Sequence, residues 1–130
     1  MAERRDVLVV DDSAATRSFL ATTLEGSGAY RVTQATSGFD ALRLLPRTHF
    51  AVVVSDVNMP DINGLELVRF VRESASNKET PVLLVTTDGR PADVERGKKM
   101  GASAYLVKPF AATELLRVVG ELVHGSRGAG

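Results

Sequence analysis

Asp11 and Asp12 follow an apolar run, Val7-Leu-Val-Val10, with nothing between. Asp56 stands one residue beyond Val52-Val-Val54, Thr86 directly beyond Val82-Leu-Leu-Val85, and Lys108 directly beyond Leu106-Val107. Singly, each has an ordinary role: such an aspartate caps a helix or opens a turn, a threonine suits a strand, and a lysine is solvated. Their recurrence at the ends of apolar runs points to chemistry. Three carboxylates brought together repel, and raise one another's pKa unless a cation lies among them. With no cysteine in the chain and no histidine beside these residues, oxygen donors select a hard divalent ion, Mg²⁺ with Mn²⁺ as the alternative, over zinc. Such an ion neutralises charge while a carboxylate attacks phosphorus and becomes an aspartyl phosphate. Lys108 would supply a fixed positive charge to the phosphoryl oxygens.

For these residues to meet, the runs that carry them must be neighbouring strands. Five short runs rich in β-branched residues, at 6–10, 30–35, 50–55, 81–86 and 104–107, alternate with segments of helical periodicity. The stretches 7–10, 52–54 and 82–85 are continuously apolar rather than alternating, as in strands covered on both faces. The alternation predicts an α/β fold, a doubly wound five-stranded parallel sheet with five helices and right-handed crossovers. In such a sheet the carboxyl ends of the strands share one edge, where ligands bind.

Helix signals fit this order. Ser13 is the expected N-cap of a first helix with Phe19, Leu20, Thr23 and Leu24 on one face, ending by Gly26 or Gly28. Ser37 with Asp40 resembles a capping box ahead of Ala41, Leu42 and Leu45. Leu67, Val68 and Val71 mark a third helix after the turn Asp61-Ile-Asn-Gly64. Pro91 opens a fourth and Gly101 closes it, and Leu115, Leu116, Val119, Leu122 and Val123 stripe a fifth. The fourth helix is the weakest. Its few apolar residues, Val94 and Met100, and its interior Gly97 make it a candidate for motion.

A chain of 130 residues with 44% hydrophobic and 25% charged side chains suits one domain with its own core. That domain is expected over residues 1–124, with 125–130 a disordered tail. The lack of cysteine excludes disulfides and thiol nucleophiles. Lys and Arg number 16 against 16 Asp and Glu, so net charge offers nothing to nucleic acid or an anionic membrane. The first apolar run is too short for a signal peptide, and no run approaches the roughly 20 residues of a membrane span. The expected location is the cytoplasm.

Taken together, Val-Asp11-Asp12-Ser, Asp56-Val-Asn-Met-Pro60 with Asn63-Gly64-Leu-Glu-Leu, Val85-Thr86-Thr-Asp, and Gly101-Ala-Ser-Ala-Tyr-Leu-Val-Lys108-Pro109-Phe110 carry a resemblance. The chain resembles the receiver domains of two-component response regulators, of the stand-alone chemotaxis type, across residues 6 to 124. The resemblance implies a flavodoxin-like sheet of order 2-1-3-4-5, an order for which a chemotaxis regulator of this family is itself a standard example. It also implies that Asp56 is the phosphoacceptor. Asp11, Asp12, Asp56 and the backbone carbonyl of Asn58 would bind the metal, with Asp12 favoured over Asp11 as a direct ligand. Thr86 and Lys108 would contact the phosphoryl group, Lys108–Pro109 would be a cis peptide, and Thr86 and Tyr105 would form the switch. The implied partners are a sensor histidine kinase or phosphotransfer protein upstream. A protein target would dock on the face of the fourth helix, fifth strand and fifth helix, where Arg90, Arg96, Lys98 and Lys99 give the fourth helix a basic tint.

Some positions depart from the family's commonest pattern. Ala111 stands where a hydroxyl N-cap for the fifth helix is frequent, and Thr87 is bulkier than the usual small residue. Asn58 and Asp88 occupy positions that tune dephosphorylation. Three rival readings follow from the same residues. A haloacid-dehalogenase-type phosphatase needs a second aspartate where Asn58 stands, and an amide cannot shuttle protons. A degenerate receiver would bind partners without phosphorylation, although the pocket is complete. Flavin mononucleotide binding on this fold is opposed by the acidic loop at Asp11-Asp12-Ser13.

Overall fold

The strands β1 (Arg5–Val10), β2 (Tyr30–Ala35), β3 (Val52–Asp56), β4 (Val82–Thr86) and β5 (Ala104–Val107) are parallel throughout, in the order β2-β1-β3-β4-β5. The computed structural model describes residues 3–128. Continuous apolarity in the central strands serves two cores. Val7, Val9, Val54, Leu83 and Val85 face α1 (Ala14–Gly26) and α5 (Ala112–Gly128), burying Leu20, Leu24, Leu115 and Val119. Leu8, Val10, Val53 and Leu84 face the other way, onto Ala41 of α2 (Gly38–Leu44) and Leu67, Val68 and Val71 of α3 (Gly64–Glu73). Each fully buried aliphatic side chain contributes roughly 1.5–3 kcal/mol, so the central strands form the rigid frame.

Several boundaries differ from those expected. β3 begins at Val52 and ends on Asp56, so the aspartate is the last residue of the strand rather than the first beyond it. Phe50 is diverted because its N–H donates to the buried side chain of Asn77, at 2.8 Å. β4 begins at Val82, since Pro81 has no N–H to give a ladder. Phe19 is 42% exposed and leaves the α1 stripe to Leu20, Ala21 and Leu24; its ring instead tilts against Phe110, 6.0 Å away. Only half of the expected box at α2 forms. Ser37 Oγ accepts from Asp40 N–H, but the Asp40 carboxylate turns to Thr36 N–H. The full reciprocal box lies on α3, between Asn63 and Glu66. α5 continues as helix to Gly128, past the boundary expected at residue 124, since each residue added to a formed helix gains a hydrogen bond. Residues 129–130 of the expected tail lie outside the described residues. Ala111 gives α5 a carbonyl to start on, at 3.2 Å from Leu115 N, but no side-chain oxygen.

α4 (Pro91–Met100) is held unevenly. Its C-terminus ends on Gly101, at φ 114°, a conformation that favours glycine. The Arg72 guanidinium donates to the Gly101 carbonyl at 2.7 Å, and to those of Thr80 and Lys78 at 2.6 and 3.1 Å. The N-terminus has no side-chain cap.

Candidate functional site

The loop from β1 to α1 is tied on two sides. Asp11 N–H donates to the Ala35 carbonyl at 3.2 Å, and Arg17 Nη1 to the Asp11 carbonyl at 2.9 Å. Ser13, not either aspartate, caps α1. Asp11 is 1% exposed; its Oδ1 accepts from Ser13 N–H at 2.8 Å, and its Oδ2 is buried with no hydrogen-bond partner. Asp12 is exposed at the mouth of the site.

Asp56 is buried at the end of β3, paired in register with Val85. α3 begins directly against it. Gly64 N–H donates to the Val57 carbonyl at 2.8 Å, and a Cβ on Gly64 would lie 2.6 Å from the Asp56 carbonyl oxygen and 2.9 Å from Val57 Cα. Both neighbours are backbone, so neither can step aside alone. Gly64→Ala is therefore expected to cost about 1–3 kcal/mol. Urea unfolding should show a lowered midpoint with an unchanged slope.

Lys108 reaches in from the end of β5, where its N–H donates to the Thr86 carbonyl at 2.7 Å. The Lys108–Pro109 peptide is cis. Lys108 Nζ lies 3.2 Å from Asp56 Oδ1 and 3.8 Å from Asp11 Oδ2. Ligand oxygens of Asp11, Asp12 and Asp56 lie within 4.8 Å of one another. One ammonium thus faces three carboxylates. Burial pushes the Asp11 carboxyl above its ordinary pKa; the Ser13 N–H opposes this, while Asp56 and Asp12 add to it. Asp56 is raised by burial too, against the pull of Lys108. An orphaned buried oxygen in an under-neutralised, all-oxygen cluster fits a hard divalent cation.

Thr86 is buried at the same edge, but its hydroxyl does not face Asp56. Its Oγ1 accepts from Asp88 N–H at 3.0 Å, within the loop to α4. Asp88 is in turn bracketed by Arg90, whose Nε lies 2.9 Å from Oδ2 and 3.0 Å from Oδ1. Tyr105, half-buried, lies over α4, and its hydroxyl donates to the Asp93 carbonyl at 3.2 Å. Burial and the Asp93 charge hold its phenol above the ordinary pKa. Asn58 is exposed two residues beyond Asp56. Arg17, Arg72 and Asp61 carry structural duties that the sequence did not announce. The Asp61 carboxylate accepts from Gly38 and Phe39 N–H at 3.2 and 2.9 Å, fastening α2 to the loop after β3. The Asn63-x-x-Glu66 spacing was a readable capping signal; the carbonyl partners of Arg72 had none.

Residues 7–120 match the response regulator receiver domain family. The chain belongs to that family. It is 37% identical over 125 residues to a Chemotaxis protein CheY homolog of Campylobacter jejuni, covering 95% of this chain and 96% of that protein. Among solved structures, chemotaxis protein CheY4 of Vibrio cholerae superposes with a TM-score of 0.88 at 39% identity, covering 92% of this chain and 99% of that one. The receiver domain of sensor histidine kinase PA1611 from Pseudomonas aeruginosa, 25% identical, superposes at 0.85, covering 94% and 99%; it was solved with a magnesium ion coordinated in its active-site cleft. Receiver domains are signalling switches, and this receiver has their sheet order and an acidic cluster of Asp11, Asp12 and Asp56. Among the described residues, no helix is long and apolar enough to cross a membrane.

Proposed function

We propose that this receiver is a phosphoacceptor switch that takes a phosphoryl group onto Asp56 and signals by protein–protein contact. The observation that carries the reading is the meeting of Asp11, Asp12, Asp56 and Lys108 at one sheet edge. The Asp56 carboxylate attacks the phosphorus of a phosphohistidine on a sensor kinase or phosphotransfer protein. The P–N bond breaks, the O–P bond of an acyl phosphate forms, and the histidine leaves with the nitrogen lone pair. Lys108 holds positive charge beside the oxygens that gain negative charge. Asp11, Asp12 and Asp56, with the Asn58 carbonyl, would hold Mg²⁺, which when bound neutralises charge on the phosphoryl oxygens. Asn58, an amide, offers no acid or base to turn the site into a phosphatase.

Phosphorylation gives the Thr86 hydroxyl a charged acceptor in place of the Asp88 carbonyl, 3.4 Å away, drawing it toward Asp56. Tyr105 then moves toward the space Thr86 leaves. The readout is the face of α4, β5 and α5, in a cytoplasmic protein partner's reach. Lys108→Ala is expected to leave Asp56 labelling in place while phosphorylation-dependent capture of the partner weakens by more than about tenfold, or 1.4 kcal/mol. A pull-down from the native cell, with and without phosphodonor, tests both halves. Capture by the alanine variant equal to wild type would remove Lys108 from the switch.

A further inference from the structure

Glycine is the costliest helix residue after proline, yet Gly97 occupies the middle of α4. It is the buried residue of that helix, and what buries it is Tyr105. A methyl group on Gly97 would overlap the Tyr105 hydroxyl and come within 2.8 Å of ring carbons Cε1 and Cζ. One turn earlier, the Asp93 carbonyl accepts the Tyr105 hydroxyl at 3.2 Å. The tyrosine thus lies lengthwise over a notch that only a residue without a side chain provides.

We propose that Gly97 is a positioning residue: the notch it leaves on α4 holds Tyr105 away from Thr86 in the unphosphorylated protein. This rests on the reading of Thr86 and Tyr105 as the switch pair. Two observations place the notch on the resting side of the switch. Thr86 Oγ1 is bonded within its own loop, to Asp88 N–H, while Tyr105 is seated on α4. α4 is pinned by Arg72 only at its far end, so its uncapped N-terminal half is joined to β5 through Tyr105. A seat that favours the resting placement of Tyr105 must oppose binding of a phosphoryl group by the same factor, because coupling between sites is reciprocal. Filling the notch removes that opposition.

The chain has 2 tyrosines and no tryptophan, so fluorotyrosine labelling gives one ¹⁹F signal for Tyr30 and one for Tyr105, assigned with Tyr30→Phe. In Gly97→Ala the Tyr105 signal is expected to move toward the position it takes in the wild type with beryllofluoride and Mg²⁺, while the Tyr30 signal stays. Binding of beryllofluoride with Mg²⁺, a phosphoryl mimic, is expected to tighten several-fold. Gly97→Ala should lower Tm in the wild-type background and raise it in Tyr105→Ala, where helix propensity acts without the clash. An unmoved Tyr105 signal, an equal Tm change in both backgrounds, or unchanged beryllofluoride affinity would each overturn the proposal. Failure of the wild type to bind beryllofluoride at all would instead count against the phosphoacceptor reading, and the ¹⁹F signal and Tm cycle would still decide the notch.

Discussion

Asp56→Asn is expected to abolish phosphorylation by a cognate kinase, with a fall of at least about a thousandfold, or about 4 kcal/mol of barrier. The carboxylate is the nucleophile, and an amide of the same shape has no charge to attack phosphorus with. Shape is conserved, so the loss cannot come from collapse of the edge. Asp56 is 6% exposed, close-packed between β1 and β4, and asparagine fills that volume. Far-ultraviolet dichroism should be unchanged. Labelling that persists undiminished would move the acceptor elsewhere, with exposed Asp12 the first candidate.

Asp11→Asn should produce an effect of opposite sign, on stability. Burial raises the Asp11 carboxyl above its ordinary value of 3.8, so the folded protein holds that proton more tightly than the unfolded chain does. Stability of the metal-free protein is therefore full below 3.8 and is lost as pH rises from there through the raised folded value. At neutral pH the ionised Oδ2, without a hydrogen bond and with Lys108 Nζ only as near as 3.8 Å, is a standing cost, on the order of 1–3 kcal/mol for a buried unsatisfied group. Asparagine retains the acceptor for Ser13 N–H and removes the charge. It should raise the metal-free Tm at neutral pH, with the gain shrinking to nothing in acid. Mg²⁺ works the other way. It should stabilise the wild type by about 2.7 kcal/mol at a hundred times its dissociation constant, and the variant far less. Thermal melts across pH, with Mg²⁺ or a chelator, read both effects. A variant that melts below the wild type without metal and keeps the Mg²⁺ gain would reject Asp11 as a ligand.

The parallel sheet and its carboxyl edge were legible because the central strands are buried on both faces, whereas the order 2-1-3-4-5 came from the family resemblance. Val7-Leu-Val-Val10 and Val82-Leu-Leu-Val85 read as strands with a helix layer either side because they are short, β-branched-rich and flanked by helical segments, and a parallel sheet then places Asp11, Asp12, Asp56, Thr86 and Lys108 along one edge. Caps with local partners, Ser13 and Gly101, were equally readable. What was hidden depends on partners far apart in sequence. Arg72 looks like any charge on an amphipathic helix until three carbonyls from the α3–β4 loop and the end of α4 close round it. Phe19 fits a helical stripe but is drawn to Phe110, across the groove beside Lys108. Gly97 read as a weakness in α4, because a glycine's spacing carries no sign of the aromatic ring that covers it. The orientation of the Thr86 hydroxyl was not accessible either; a single torsion chooses between Asp88 and the acidic site.

Acetyl phosphate and Mg²⁺, followed by hydride reduction and peptide mass mapping, test the central claim most directly. Reduction converts an aspartyl phosphate to homoserine and leaves every ordinary aspartate intact. The account predicts homoserine at position 56 alone, dependent on Mg²⁺. Homoserine at position 11 or 12, or a phosphate on threonine or histidine with position 56 unmodified, would contradict it.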